Sequence, residues 1–170
     1  IQNATDGSGT TQTSLAYGSP QHLIVDLQDE YIINRMVMNF SNTPTEYKLY
    51  SSTDKETWIE LAYDKTDKDT IGARVDTHEI LKMAKARYLK FEQLRGFMGV
   101  NYMPDGTLGP FEYSTGIFEV EAYGFSYDEI GVIIEDVERI LAETTKTAEN
   151  EKMYDFVVQE HQILQDILSG

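Results

Sequence analysis

The residues of this chain that could carry chemistry fall into two unequal groups. The titratable ones are scattered. His22, His78 and His161 lie far apart, and no H-E-x-x-H, G-x-S-x-G, phosphate-loop or G-x-G-x-x-G pattern is present. The 29 carboxylates guarantee chance pairs, so no hydrolytic acid–base pair can be singled out. The stretch DKTDKDTIG (64–72) is rich in oxygen ligands. It lacks the D-x-[DN]-x-[DN]-G spacing and closing glutamate of an EF-hand, and reads as a solvated loop. The aromatic residues, by contrast, are grouped. The segment RGFMGVNYMPDGTLGPFEYSTG (95–116) carries Phe97, Tyr102, Phe111 and Tyr113. A long aromatic loop on a rigid scaffold is a common binding element, because ring faces pack on the apolar face of a ligand. The one tryptophan, Trp58, follows the turn Ser51-Ser52-Thr53-Asp54-Lys55. Nothing here points to catalysis.

Strands must position these residues. From 1 to 124 the segments are short, rich in β-branched and aromatic residues, and separated by turn chemistry. HLIVDL (22–27) is a near-continuous apolar run, as in a strand buried on both faces. YIINRMVMNF (31–40) alternates, with Ile32, Met36, Met38 and Phe40 on one face. EYKLYSS and TWIELAY pair around the Asp54 turn, which puts the Trp58 indole toward the core. RYLKFEQL (87–94) and GIFEVEAYG (116–124) are the last strands, and THEILKMAKA (77–86) reads as holding a short helical turn. No helix-length amphipathic stretch separates the strands, which favours an antiparallel sandwich over βαβ units.

After Gly124 the period changes. Ile130, Ile133, Ile134, Val137, Ile140 and Leu141 mark one face of a helix, and a second stripe runs through Met153, Phe156, Val157, Leu164 and Leu168. Ser126 and Glu129 form a capping box, with Phe125 and Ile130 placed for a hydrophobic staple. Neither Pro nor Gly interrupts the stretch between the stripes, so one long helix and a helical hairpin are both open. The chain thus divides into a sandwich at 1–124 and a helical tail at 125–170, the tail serving packing, linkage or oligomerisation. Leaving both stripes in water would make a large apolar patch, so the tail is expected to self-associate or dock on a neighbouring module.

Composition bounds the partners. The net charge of −15 disfavours phosphate backbones and hence nucleic acid. With no cysteine there is no disulfide framework and no thiolate chemistry. No apolar run approaches the ~20 residues of a bilayer-spanning helix. The sequence opens on Ile1 without a leader and reads as part of a longer protein.

EYKLYSSTDKETW (46–58) resembles the strand–turn–strand signature of the discoidin, or coagulation factor V/VIII C-type, domain, whose relatives include the family 32 carbohydrate-binding modules. Ser52, Thr53, Asp54, Lys55 and Trp58 keep the pattern, with Lys55 where glycine is usual and one extra residue before the tryptophan. Asn3-Ala4-Thr5-Asp6-Gly7, IVDLQDEYIINRMVM (24–38), ARYLKF (86–91) and FEVEAYG (118–124) resemble further landmarks of that family, in its order.

The resemblance implies an eight-stranded jelly-roll β-sandwich, galactose-binding-like, with the tail outside it. It implies a structural Ca²⁺ held by Asp6, Thr11 and Glu119, with Ser8 where the family commonly has Asp or Asn. It also implies a ligand site in the loops at one end. The family's galactose signature is missing, since TTQTSLAYGSPQ lacks its His and NFSNTPTEY lacks its Arg. By loop position the candidates are Tyr17, Asn42, Arg95, Phe97, Tyr102 and Tyr113. The expected function is a non-catalytic carbohydrate-binding module of a larger bacterial extracellular or surface protein, used in adhesion or targeting. The alternative is a structural or assembly module that binds no sugar and works through its tail.

Overall fold

The computed structural model describes residues 4–16, 18–66 and 72–169, with only the backbone described at 98–100, 110, 112 and 113. Eight strands precede two helices: β1 (Thr13–Ser14), β2 (Gln21–Asn42), β3 (Glu46–Ser52), β4 (Ile59–Lys65), β5 (Arg74–Arg95), β6 (Phe97–Tyr102), β7 (Leu108–Tyr113), β8 (Gly116–Ser126), α1 (Tyr127–Glu143) and α2 (Glu151–Ser169). Six strands form one antiparallel sheet in the order β1-β8-β2-β5-β3-β4, while β6 and β7 form a separate hairpin.

The two 22-residue strands fold this sheet over on itself. Pairing of β2 with β5 is interrupted between Asp26 and Tyr31. Gln28 there adopts a positive φ of 73°, and its N–H donates to Asp26 Oδ1. The first arm of β2 (21–26) pairs only with the second arm of β5, which in turn pairs with β3. The second arm of β2 (31–42) pairs with the first arm of β5 and with β8. Two layers result, joined through β2 and β5.

Alternation then fills the space between the layers. Ile32, Met36, Met38 and Phe40 are buried as their shared face requires. Ile33 is buried as well, because a register shift between Ile33 and Arg35 lets neighbouring residues both face inward. Residues 77–86 contain no helical turn. They are part of β5, held by pairing with Arg35–Val37 and Tyr31–Ile33 of β2. Ladder bonds and a buried Ile80 outweigh the helix propensity of Leu, Lys, Met and Ala.

At the centre of the core, Tyr47 is fully buried against Phe40 and Phe91, with ring centroids 5.4 and 5.3 Å away. Its hydroxyl donates to Asp76 Oδ2 at 2.8 Å and lies 2.7 Å from His78 Nε2. One phenol proton cannot serve both partners, so His78 presents Nε2–H to the tyrosine oxygen. Burial first, then the Asp76 carboxylate, push the Tyr47 hydroxyl far above its ordinary pKa. It stays neutral and donating.

The tail is a hairpin of two helices. Ser126 caps α1 with both bonds of the capping box, its hydroxyl accepting from Glu129 N–H and Glu129 Oε2 accepting from Ser126 N–H. Ile130 is buried where α1 leaves the sandwich. The helix stops at Thr144, which is extended. Asn150 then holds the connection, accepting from Thr147 N–H and donating to Thr145 O, and Lys146 bridges to Glu151 and Asp155. A polar side chain thus makes the break that the absence of Gly and Pro left undecided. Among the described residues, no helix is long and apolar enough to cross a membrane.

Two stability tests follow from these interactions. Tyr47→Phe leaves His78 Nε2–H without its acceptor, so urea unfolding should show a loss of ~1–3 kcal/mol with little change in slope. In the β3–β4 turn, the amides of Thr57 and Glu56 and the Ser52 hydroxyl hold Asp54 at a pKa of about 2. A carboxyl depressed on folding contributes stability above its unfolded pKa and loses it as pH falls through the folded one. The melting temperature should therefore drop between about pH 4 and pH 2, and Asp54→Asn should flatten that decline.

Candidate ligand-binding site

Five connections meet at the end of the sandwich opposite the Asp54 turn. Buried Gln93 donates to Gly18 O and Ser19 Oγ, tying down the loop before β2. Thr43 donates to Gly72 O, joining the β2–β3 and β4–β5 connections. Thr45 donates to Gly96 O at 2.9 Å and fixes the start of the β6–β7 hairpin. Asn42 Nδ2 reaches Ser114 O at 3.5 Å. Gly116 packs under the Ser41 hydroxyl, which would have to rotate away to admit a Cβ there.

The sequence candidates sort clearly on this platform. Asn42 is half-buried and Arg95 exposed, both at this end. Tyr102 is 73% exposed near the tip of the hairpin, paired with exposed Leu108. The tip is held rigidly. Met103 N–H donates to Thr107 O, and Asp105 Oδ1 accepts from both the amide and hydroxyl of Thr107. Those two bonds hold the Asp105 carboxyl below its usual pKa. Phe97 is only 4% exposed, so its ring is closed to a ligand. It lies at the base of the hairpin, opposite Tyr113 in the ladder. The Tyr113 side chain and all of Tyr17 lie outside the described residues.

Trp58 is not a core anchor. It is half-buried and outside the core cluster. Ser51 and Ser52 take the buried positions at the end of β3, and the indole lies 4.7 Å from the Lys90 ammonium. That ammonium is also 4.2 Å from the Tyr50 ring, so the three form a cation–π stack on the sheet's outer face.

Of the calcium candidates, Asp6 and Thr11 are in direct contact. Asp6 Oδ1 accepts from Ser8 N–H at 2.9 Å and Oδ2 from the Thr11 hydroxyl at 2.6 Å. The loop passes over β2, where a Cβ on Gly9 would meet the Asn39 side chain at 3.9 Å. Asn39 pairs directly with Glu119 on β8, which places both side chains on one face. Glu119 Oε2 is buried without a hydrogen-bond partner among the described residues. A buried carboxylate oxygen lacking a donor is of the ligand type that a hard cation takes.

One cluster escaped the sequence reading. Asp64, Asp76 and His78 bring their ligating atoms within 4.8 Å of one another. Arg74 already lies among them, at 3.3 Å from Asp64 and 2.5 Å from Asp76, so the carboxylates have their counter-ion. The signal was Arg74-x-Asp76-x-His78, whose period of two puts all three on one face of a strand. It was hidden by the helical reading of 77–86.

The comparisons with known proteins agree with this architecture. The family model of the F5/8 type C domain matches residues 1–101. No curated protein matches the chain. Among solved structures, chitosan-binding module 1 from a chitosanase/glucanase of Paenibacillus sp. IK-5 is similar, with 24% identity and a TM-score of 0.55, over 72% of this chain and 83% of that one. A module of Clostridium perfringens solved with GalNAc-β-1,3-galactose has 19% identity and a TM-score of 0.56, over 72% and 82%. A fragment of a putative chitobiase from Bacteroides thetaiotaomicron has 19% identity and a TM-score of 0.55, over 75% and 76%. Given a model match over more than half its length and the jelly-roll sandwich described above, this chain belongs to the F5/8 type C domain family, whose members are non-catalytic binding domains.

Proposed function

We propose that the chain is a glycan-binding module of a larger extracellular or cell-surface protein, with its site at the loop end of the sandwich. The observation that carries this reading is the position of Tyr102. An exposed ring on a rigidly closed hairpin rises from the end that also carries Asn42 and Arg95. The ring can stack on the C–H face of one sugar, while Asn42 and Arg95, at the base of the same hairpin, offer hydrogen-bonding groups to a further unit of an extended glycan. That two structurally similar modules are solved with chitotriose and with GalNAc-β-1,3-galactose supports a glycan as the ligand class. The chain's net charge of −15 favours neutral or amino sugars over sulfated and sialylated ones. A glycan array probed with the chain should light up on neutral or amino-sugar spots. Tyr102→Ala should weaken the best of these about five- to tenfold, ~1–1.4 kcal/mol, with its melting temperature unchanged. An array dark on every glycan class would reject the reading.

In the same reading a structural Ca²⁺ is held by Asp6, Thr11 and Glu119, and supplies the positive charge that Glu119 Oε2 lacks. A cation that binds only the folded chain raises its stability by ~2.7 kcal/mol at a hundredfold excess over Kd. Calcium added to chelator-treated protein should raise the melting temperature, and Glu119→Gln should remove most of that response. Equal melting with calcium and with chelator would exclude the ion.

A further inference from the structure

The helical hairpin leaves one flank uncovered, and its chemistry specifies what fits there. Ile130, Ile134, Val137 and Leu141 of α1 recur at spacings of four, three and four, and Tyr154, Val157, His161, Leu164 and Leu168 of α2 at three, four, three and four. These are the buried or half-buried positions, so they form the seam of an antiparallel coiled coil. Its two flanks differ. On one, polar groups cross between the helices, Glu138 Oε1 lying 3.3 Å from His161 Nε2 and accepting from Gln165 Nε2 at 3.2 Å. On the other, Ile140 of α1 meets Met153 of α2, with Ile133 two turns earlier on the same flank of α1 and Phe156 and Ile163 one position further round α2.

All five of these residues are exposed, Ile140 by 54%, Met153 by 67% and Phe156 by 57%. A groove of about 130 Å³ opens between Ile140, Met153 and Val157. Two helices with a heptad seam between them and an apolar groove along one flank make two-thirds of a three-helix bundle.

Charge selects the occupant. Residues 127–169 carry eleven carboxylates and three bases, a net charge of −8. Around the apolar flank stand Asp136, Glu143, Glu160 and Asp166, with Lys152 and with Arg139, which pairs with Asp136, as the bases. Two copies placed flank to flank would oppose these acids across a desolvated seam. A helix with Lys or Arg beside its own apolar stripe would instead bury the stripe and neutralise the rim. We propose that this flank is the docking site for a basic amphipathic helix of a partner protein, bound as the third helix of the bundle.

The test uses the full chain and two synthetic peptides of about three heptads, both with Leu at the seam positions. One carries Lys beside the seam and the other Glu. The Lys peptide should bind one-to-one and weaken as salt rises, whereas the Glu peptide should not bind. Phe156→Glu and Met153→Glu should each lower affinity roughly tenfold or more, while Val158→Glu, outside the uncovered flank, should leave it unchanged. Both flank variants should keep the helical circular dichroism and melting temperature of the parent. Equal binding of the two peptides, or an equal effect of Val158→Glu, overturns the proposal. So does sedimentation of the chain alone as a dimer that Phe156→Glu dissociates, since the occupant is then a second copy.

Discussion

The structure depends on a phenol that cannot be buried alone. Tyr47 lies wholly inside the core, between Phe40 and Phe91, where an unpartnered hydroxyl would cost about 1–3 kcal/mol. Its partners Asp76 and His78 stand on the first arm of β5, while Tyr47 stands on β3, which pairs with the second arm. The network therefore closes only if β5 runs through both layers and turns the correct face inward in each. A one-residue slip of the first arm would present Val75 and Thr77 to the core and send Asp76 and His78 to solvent. Arg74, two residues before Asp76, pairs with both Asp76 and Asp64 at the edge of the core. The constraint reaches the ligand end as well. Tyr47 is two residues from Thr45, whose hydroxyl fixes Gly96, and Arg74 is two residues from Gly72, which Thr43 holds.

Much of this architecture was legible from the sequence, and the rest was not for identifiable reasons. The alternation in 31–40 named the inward face of β2, and the change of period after Gly124 placed the first helix and its capping box. These are local signals with a local cause. The continuity of β2 across Asp26–Tyr31 is different, because Gln28 with its positive φ looks like the end of a strand until its pairing partners are known. Residues 77–86 misread for the same reason. Their composition favours a helix, and only the non-local ladder to β2 makes them a strand. Among site residues, Tyr102 and Phe97 look equivalent as aromatic members of one long segment. They separate into an exposed tip and a buried base only once the hairpin register is fixed. Trp58 misled through its size. A lone tryptophan suggests a core, but here the core is filled by Tyr47, Phe40 and Phe91, and the indole stacks on Lys90 outside it.

The sandwich and its tail solve the same problem by different means. In the sandwich, the phenol at the centre of the core is met by Asp76 and His78 on another strand. In the hairpin the seam is narrow, and no residue of α2 is fully buried. Two helices can shield a stripe about one seam wide, and this sequence carries a second stripe on each helix. The acidic rim keeps that stripe soluble and opposes like-charged copies. Solubility and selectivity thus come from the same carboxylates.

The proposed glycan site is built on a hairpin that its own hydrogen bonds close. A sugar held by one ring and a few hydroxyl bonds gains little energy per contact, so the cost of ordering a loop would consume much of it. In this chain the hairpin turn is closed by its own hydrogen bonds. The Asp105 carboxylate fixes the hairpin turn, Gly106 takes the positive φ of 83° that the turn requires, and the Met103–Thr107 bond closes it. At the base, Thr45 and the buried Phe97 fix where the hairpin leaves the sandwich. Tyr102 is therefore exposed while its backbone is held on both sides. A ring on a turn closed in this way forfeits less freedom on binding than one on a loop without such bonds.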